Sequence, residues 1–435
     1  MKGLFTLLLV ILCPVLTWAS DNEDWNIKLQ STYIWQGKPP LRSPYAGPHS
    51  LSGSREKSYS FTGTAALGVR LGTSTELYVD PEVAQGVPLS GLQGLAGFTN
   101  GEMARSSGSN PTLYRARFFL RHVIGLSEEM VAAESAMNQL ASTYAKRRWV
   151  VTVGNLAIPD IFDTNAYAHD PRTQFMNWAL MSHAAYDYAA DSRGYSWGLA
   201  AEYDADDWTI RAGRFIQPRE PNQLALDSRI GVHYGDQVEL EKRYDLGDGR
   251  PGAVRLLAFR NRAVMSRYDD ALALASAAGS APDIDQVRKG AHIKYGVGLN
   301  VEQRLTRELG IFGRAMWADG ETETYAFTQA DRSASFSASL TGNRWARAND
   351  VIGIGFAQHW LSRADRDVLA RGGQTFFLGD GALRYRPEQV FEAYYLLALK
   401  EGAAISFDMQ RIINPGYNAD RGPAKFYGVR VHLEN

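Results

Sequence analysis

The sequence predicts an all-β chain closed into a transmembrane antiparallel β-barrel of about 16 strands, with loops folding into the lumen. Three observations predict it. Short segments alternate apolar and polar residues with period two, and aromatic residues stand near the ends of those segments. Beyond the first residues, no uninterrupted apolar run is long enough for a membrane-crossing helix. A sandwich would bury its apolar face in a core, whereas a barrel in a bilayer turns that face to lipid and keeps the other face wet. The mean hydropathy of −0.28 agrees, because alternation averages out along each strand.

The chain opens with MKGLFTLLLVILCPVLTWAS, which carries one Lys, an apolar stretch from Leu4 to Leu16 and small residues up to Ala19. This reads as an export signal, residues 1–19, followed by a single barrel domain, residues 20–435. Pro14 interrupts the stretch, which is short for a retained anchor, and Leu12 stands before Cys13 where lipid attachment would need a small residue. Cleavage removes Lys2 and Cys13, the only cysteine. The formal net charge is −1, so the balance gives no reason to expect nucleic acid as a partner. At about 26 residues per strand with its turn and loop, the remaining chain allows roughly 16 strands.

The strands follow in order. Lys57 to Leu71 sets Tyr59, Phe61, Ala65, Leu67 and Val69 against Ser58, Ser60, Thr62, Thr64 and Arg70. Thr75 to Glu82 sets Leu77 and Val79 against Glu76, Tyr78, Asp80 and Glu82, which places the three carboxylates on the wet side. Tyr114 to His122 puts Arg115, Arg117, Phe119 and Arg121 on one face. Each Arg on the lipid face near the bilayer midplane would cost about 2–4 kcal/mol, so the arginines are expected to look into the lumen. A basic and an acidic ladder would then set a transverse field across a constriction. Trp149 to Val153 alternates in the same way. Tyr195 to Tyr203 places Tyr195, Trp197, Leu199, Ala201 and Tyr203 outward, and the polar run Asp204 to Asp207 turns the chain into Trp208 to Phe215. Leu156 to Ser192 and Met265 to Gly290 are expected to be extracellular or inward-folding loops; within the second, Ala271 to Pro282 reads as a short helix or a mobile loop.

The stretch from Val153 to Gly198, VGNLAIPDIFDTNAYAHDPRTQFMNWALMSHAAYDYAADSRGYSWG, closely resembles the carbohydrate-selective outer-membrane porin family of the OprB type. The resemblance continues in order through Ser43–Leu51, Pro81–Gly86, Gly94–Glu102, Tyr114–Arg121, Gly298–Thr306, Asp319–Phe327, Phe376–Tyr395 and Ile413–Glu434. It implies an integral outer-membrane barrel, monomer or homotrimer, that passes monosaccharides such as glucose by passive diffusion, with no cofactor, no metal and no catalysis. Its partners would be monosaccharides, outer-membrane lipids and the barrel-insertion machinery. The chain departs from the pattern at its last residue, Asn435, where barrels of this kind usually end on an aromatic.

A sugar pore needs donors and acceptors that replace the hydration of hydroxyls, and aromatic faces for the ring. The expected constriction set is Arg115, Arg117, Arg121, Glu76, Asp80, Glu82, Asp163, Asn165, Arg172, Asn177 and Trp178. For the arginines, direct sugar contact and a network that holds a loop in place both remain open. Asp163, Asn165, His169, Asp170 and Arg172 read better as a folded loop that satisfies turn amides than as a metal site, since the paired histidine spacing is missing. Trp178, beside Asn177 in a polar loop, is the leading candidate for stacking on a sugar. Two alternatives from other classes are an outer-membrane or periplasmic glycoside hydrolase, using a carboxylate pair such as Glu82 and Asp163, and a sugar-binding surface protein without a pore.

Overall fold

The computed structural model describes residues 22–103 and 108–435; the expected export signal lies outside the described residues. The first strands are β1 (Trp25–Lys38), β2 (Glu56–Arg70), β3 (Thr75–Val87), β4 (Thr112–Gly125), β5 (Met130–Ala133), β6 (Ser142–Ala145), β7 (Arg148–Leu156), β8 (Ser196–Ala205) and β9 (Trp208–Ile216). They are followed by β10 (Tyr234–Asp245), β11 (Pro251–Val264), β12 (Ala291–Arg304), β13 (Leu309–Ala318), β14 (Arg332–Gly342), β15 (Arg347–Trp360), β16 (Glu388–Lys400), β17 (Ala403–Ile413) and β18 (Ala424–Glu434). Sixteen of them close a barrel in sequence order, with β4 beside β7 and β1 beside β18, while β5 and β6 form a separate hairpin. No helix among the described residues is long and apolar enough to cross a membrane; the crossing elements are strands.

Closure leaves no free edge in the barrel. β1 pairs with β18 from Gln30 opposite Glu434 to Gly37 opposite Tyr427. Asn435 extends that ladder: its amide donates to the Leu29 carbonyl at 3.1 Å, and its side-chain oxygen accepts from the Leu29 amide at 2.7 Å. The terminal residue that departs from the aromatic pattern therefore serves as one more rung.

The period-two pattern sorts as the sequence predicts. On β2, Ser58, Ser60, Thr62 and Thr64 are buried toward the inside, and on β3 so are Glu76, Tyr78, Asp80 and Glu82. The outer wall exposes Val238 and Leu240 of β10, Phe336 of β14, Phe407 and Met409 of β17, and many similar side chains. Aromatics cluster near the short-turn end, where Trp149 and Tyr203 pack with ring centroids 4.9 Å apart beside the hairpin that leads to Trp208. Tyr195 does not join them. It precedes β8, is buried against Ala116 and Ala157, and so turns inward instead of completing the outer row.

Long connections share one end of the barrel, and most connections at the other end are tight turns, which makes the long-loop end the exterior one. The exception is residues 126–147, which include the β5–β6 hairpin at the turn end. The connection 157–195 folds into the barrel, carrying α1 (Trp178–Met181). Its side chains Phe162, Phe175 and Leu180 belong to the buried cluster inside the wall. Gly355 of β15 makes that approach possible, because a Cβ there would lie 2.9 Å from Phe175 and 3.0 Å from Leu180. At the exterior, α2 (Tyr268–Ala278) ends on Gly279 in a left-handed conformation and packs with α3 (Arg363–Ala370) through Tyr268, Ala271 and Val368. The Ala-rich run is thus the short helix of the two readings.

Candidate functional site in the barrel lumen

The lumen site is built on the adjacent strands β3 and β4. Register there slips by one residue: Asp80 faces Arg117 while Pro81 faces Arg115, leaving Ala116 extra. This bulge reverses which residues face inward. Below it Arg117, Phe119 and Arg121 point into the barrel; above it Tyr114 and Ala116 do. Arg115 is therefore outside, contrary to the strict alternation, and its guanidinium lies over the outer aromatics Phe118 at 5.5 Å and Trp197 at 5.0 Å. It stands near the exterior end of β4, where a lipid-side cation costs about 0–1 kcal/mol, far less than at the midplane.

The inward charges are neutralised by neighbours instead of opposing one another across the lumen, which corrects the expected transverse field. Arg117 Nε and Nη2 donate to the two oxygens of Asp160 at 2.7 and 2.6 Å, and Nη1 lies 3.5 Å from Asp80. The guanidinium also sits 5.5 Å from the Tyr195 ring centre. Burial pushes the Asp160 carboxyl up, but the charge and hydrogen bonds of Arg117 outweigh it and hold the group below the usual carboxylate range. Two inward positions toward the turn end, Arg70 lies 3.1 Å from Glu76, which also accepts from the hydroxyls of Tyr78 and Tyr144. Arg121 donates to the Asn138 carbonyl at 2.9 Å. Asn138 itself donates to Asp80 at 2.9 Å, so the insert between β4 and β7 reaches up to the same wall. One step toward the exterior, Glu82 accepts from Thr64 at 2.6 Å and from the Tyr114 hydroxyl, with Arg172 at 3.4 Å. Arg172 also meets Glu102 at 3.2 Å.

The remaining expected residues belong to the anchors of the inward loop. Asp163 accepts from Arg314 at 2.9 Å and from Asn300 at 2.6 Å, on β13 and β12. Burial lowers His183, 3.5 Å from Asp163, to about 4, so it is neutral near pH 7. Asn165 donates to Asn300 at 2.8 Å and accepts the Tyr167 and Ala168 amides, the turn role expected of it. Asn177 caps α1 through the Ala179 amide and donates to Gln410 of β17 at 3.0 Å, while Glu392 of β16 accepts the Met176 and Asn177 amides. Trp178 is 5 % exposed and stacks on Phe327 at 4.7 Å with planes 10° apart. Its ring face is occupied within the protein, which removes it as a stacking platform for a sugar.

The structure thus gathers Glu76, Asp80, Glu82, Arg117, Arg121 and Arg172 on one wall. Asp163 and Asn165 anchor to the β12–β13 side and Asn177 to β16–β17. Glu82 and Asp163 are each saturated by different partners on different walls. Sequence reasoning missed Asp160, Glu102 and Asn138. Asp160 was findable as the acid nearest the end of β7 in the inward loop, but nothing in the local pattern pairs it with Arg117. No cluster of metal-ligating residues occurs among the described residues.

A closed, sixteen-stranded antiparallel barrel with apolar side chains outside, paired charges inside and a long loop tucked into the lumen defines the class of outer-membrane porins. Residues 71–434 match the carbohydrate-selective porin, OprB family, and the chain belongs to that family. Among solved structures, that of Pseudomonas putida OprB at high pH superposes with a TM-score of 0.71 at 15 % identity, covering 95 % of this chain and 94 % of that one. The low-pH structure of the same protein gives 0.49 at 12 % identity, covering 95 % and 93 %. Acinetobacter baumannii OccAB1 gives 0.49 at 9 % identity, covering 96 % and 98 %. No curated protein matches the chain.

Proposed function

We propose that this chain is a passive diffusion channel for neutral monosaccharides such as glucose, acting without cofactor or catalysis, inserted in the outer membrane after loss of residues 1–19. The observation that carries the reading is the pairwise neutralisation of the β3–β4 wall. Arg117 with Asp160, Arg121 with Glu76 and Arg172 with Glu82 hold donors and acceptors side by side with little net charge. Such a surface exchanges hydrogen bonds with sugar hydroxyls while offering no net attraction to ions of either sign. The Asp160 side chain is 30 % exposed, so part of this pair remains open to solute. Arg117, Arg121 and Asp160, which keep exposed edges, are the proposed contact groups, and the buried Glu76, Asp80 and Glu82 hold them in place. The barrel works as a monomer or a homotrimer, each barrel carrying its own wall.

Liposome swelling tests the reading. Glucose and its isomers should enter faster than disaccharides and faster than size-matched amino acids. Rates that depend on solute mass alone would remove the case for a sugar-selective wall. Release of reducing sugar from oligosaccharides by the purified protein would instead support a hydrolase.

A further inference from the structure

On the lipid-facing side, cations collect at the exterior end of the barrel. Arg411 of β17 is exposed on the same face as Phe407 and Met409, and Lys425 of β18 on the same face as Tyr427. The two are direct cross-strand partners. Like charges in that position repel, and neither has a carboxylate within ion-pairing distance among the described residues. Phe391 stands opposite Arg411 on the other side.

The same arrangement recurs around the circumference. Arg332, the first residue of β14, lies in register between Trp317 and Trp360. Arg260 of β11 pairs in register with Tyr295, and its guanidinium lies 5.9 Å from the Tyr234 ring. Arg115 rests on Phe118 and Trp197, as described above. The outward carboxylate Asp236 is already engaged by Arg214 through two hydrogen bonds, at 2.6 and 2.9 Å. These positions all lie within a few residues of the long-loop ends of their strands, at the level of the outer leaflet's interface.

We infer that this belt binds the phosphorylated headgroups of anionic lipids in the outer leaflet, with the opposed Arg411 and Lys425 as its strongest site. An Arg fork matches a phosphate, the phosphate's negative charge offsets the repulsion between Arg411 and Lys425, and the flanking aromatic rings suit the boundary between headgroup and acyl chain. A phosphate placed between the two side chains converts a destabilising pair into a bridged one.

The test uses the full-length barrel in phosphatidylcholine vesicles doped with a spin-labelled, bis-phosphorylated glycolipid. Electron spin resonance reads how strongly that lipid is enriched in the motionally restricted shell. The wild type should enrich it, and Arg411→Gln with Lys425→Gln should lower the relative association by about fivefold for each cation removed. Lys425→Glu gives a second reading, since it creates a cross-strand ion pair with Arg411. It should keep the barrel folded in neutral vesicles yet lose the enrichment, which decides the matter if the double variant fails to insert. Equal enrichment in wild type and variants, or equal enrichment of the dephosphorylated glycolipid, overturns the inference. Loss of enrichment when millimolar inorganic phosphate is added at constant ionic strength would show that the site takes free phosphate, and would overturn the assignment to lipid. Cross-linked dimers through this face in neutral vesicles, abolished by Lys425→Glu, would assign it to a second copy.

Discussion

Two arginines separated by one residue should behave in opposite ways. Arg117 faces inward, fastened to Asp160 by two hydrogen bonds of 2.7 and 2.6 Å, whereas Arg115 lies across the bulge over outer aromatics. Breaking a fully buried ion pair costs about 3–5 kcal/mol. Here Asp160 retains 30 % exposure, so solvent screens part of that loss, and about 1.5–3 kcal/mol, the range for a charge-assisted hydrogen bond, is the working figure. Arg117→Ala should raise single-channel conductance in a planar bilayer, since it removes a long side chain from the wall, and should weaken glucose block by about tenfold or more. Arg115→Ala should leave both quantities unchanged. Adding Asp160→Asn to Arg117→Ala should recover stability, because it removes the stranded carboxylate, without recovering glucose block. A conductance change in Arg115→Ala as large as that in Arg117→Ala would show that the bulge is absent and that strict alternation holds along β4. Conductance that rises in Arg117→Ala while block stays constant would reduce Arg117 to a structural strut.

Three further outcomes follow from the loop anchors. Trp178→Ala should lower the temperature at which the barrel's gel mobility shifts to the unfolded position, because removing a stacked, buried indole costs about 3–5 kcal/mol, while Trp178→Phe should preserve glucose block. The anchor at His183 predicts an acid-side loss. Its folded value is depressed from 6.5 to about 4, so its contribution is complete above pH 6.5 and fades as pH falls toward 4; increased proteolysis of the 157–195 loop over that window, abolished in His183→Gln, is the check. Asn138→Ala should loosen Asp80 and increase conductance noise without altering heat-modifiable mobility, since it cuts one hydrogen bond from the turn-side insert and leaves the barrel ladder intact.

The barrel was legible because lipid and water impose opposite demands on alternate residues, and only two-fold periodicity satisfies both. β2 and β3 obey that rule throughout, and their inward residues read correctly from the sequence alone. β4 does not. Its bulge beside Pro81 inserts a residue with no signature in the alternation of Tyr114 to His122, so parity carried across it placed Arg115 on the wrong side. The site was legible by residue type and less so by partner. Arg117 and Asp80 could be chosen as inward charges, but Asp160 and Asn138 reach them from connections whose paths depend on long-range packing. Trp178 shows the same limit from another direction, since a Trp between polar neighbours looks available until Phe327, far along the chain, is found against its face.

The expected opposition of basic and acidic ladders became adjacency, and that changes the physics of the wall. Charges separated across a lumen would orient water throughout the gap and hold it there, raising the cost for any solute that must displace it. Charges paired with neighbours on an adjacent strand or on the inward loop confine their field to a few ångströms. The wall then presents the exposed edges of Arg117, Arg121 and Asp160 as local hydrogen-bonding groups. On the proposed reading, a sugar would exchange water for the exposed edges of Arg117, Arg121 and Asp160 without crossing a strong field. An ion gains little from such a wall, because each charge it approaches is already answered by a neighbour within 4 Å. The proposed preference for neutral solutes therefore rests on the spacing of the pairs and requires no aromatic track.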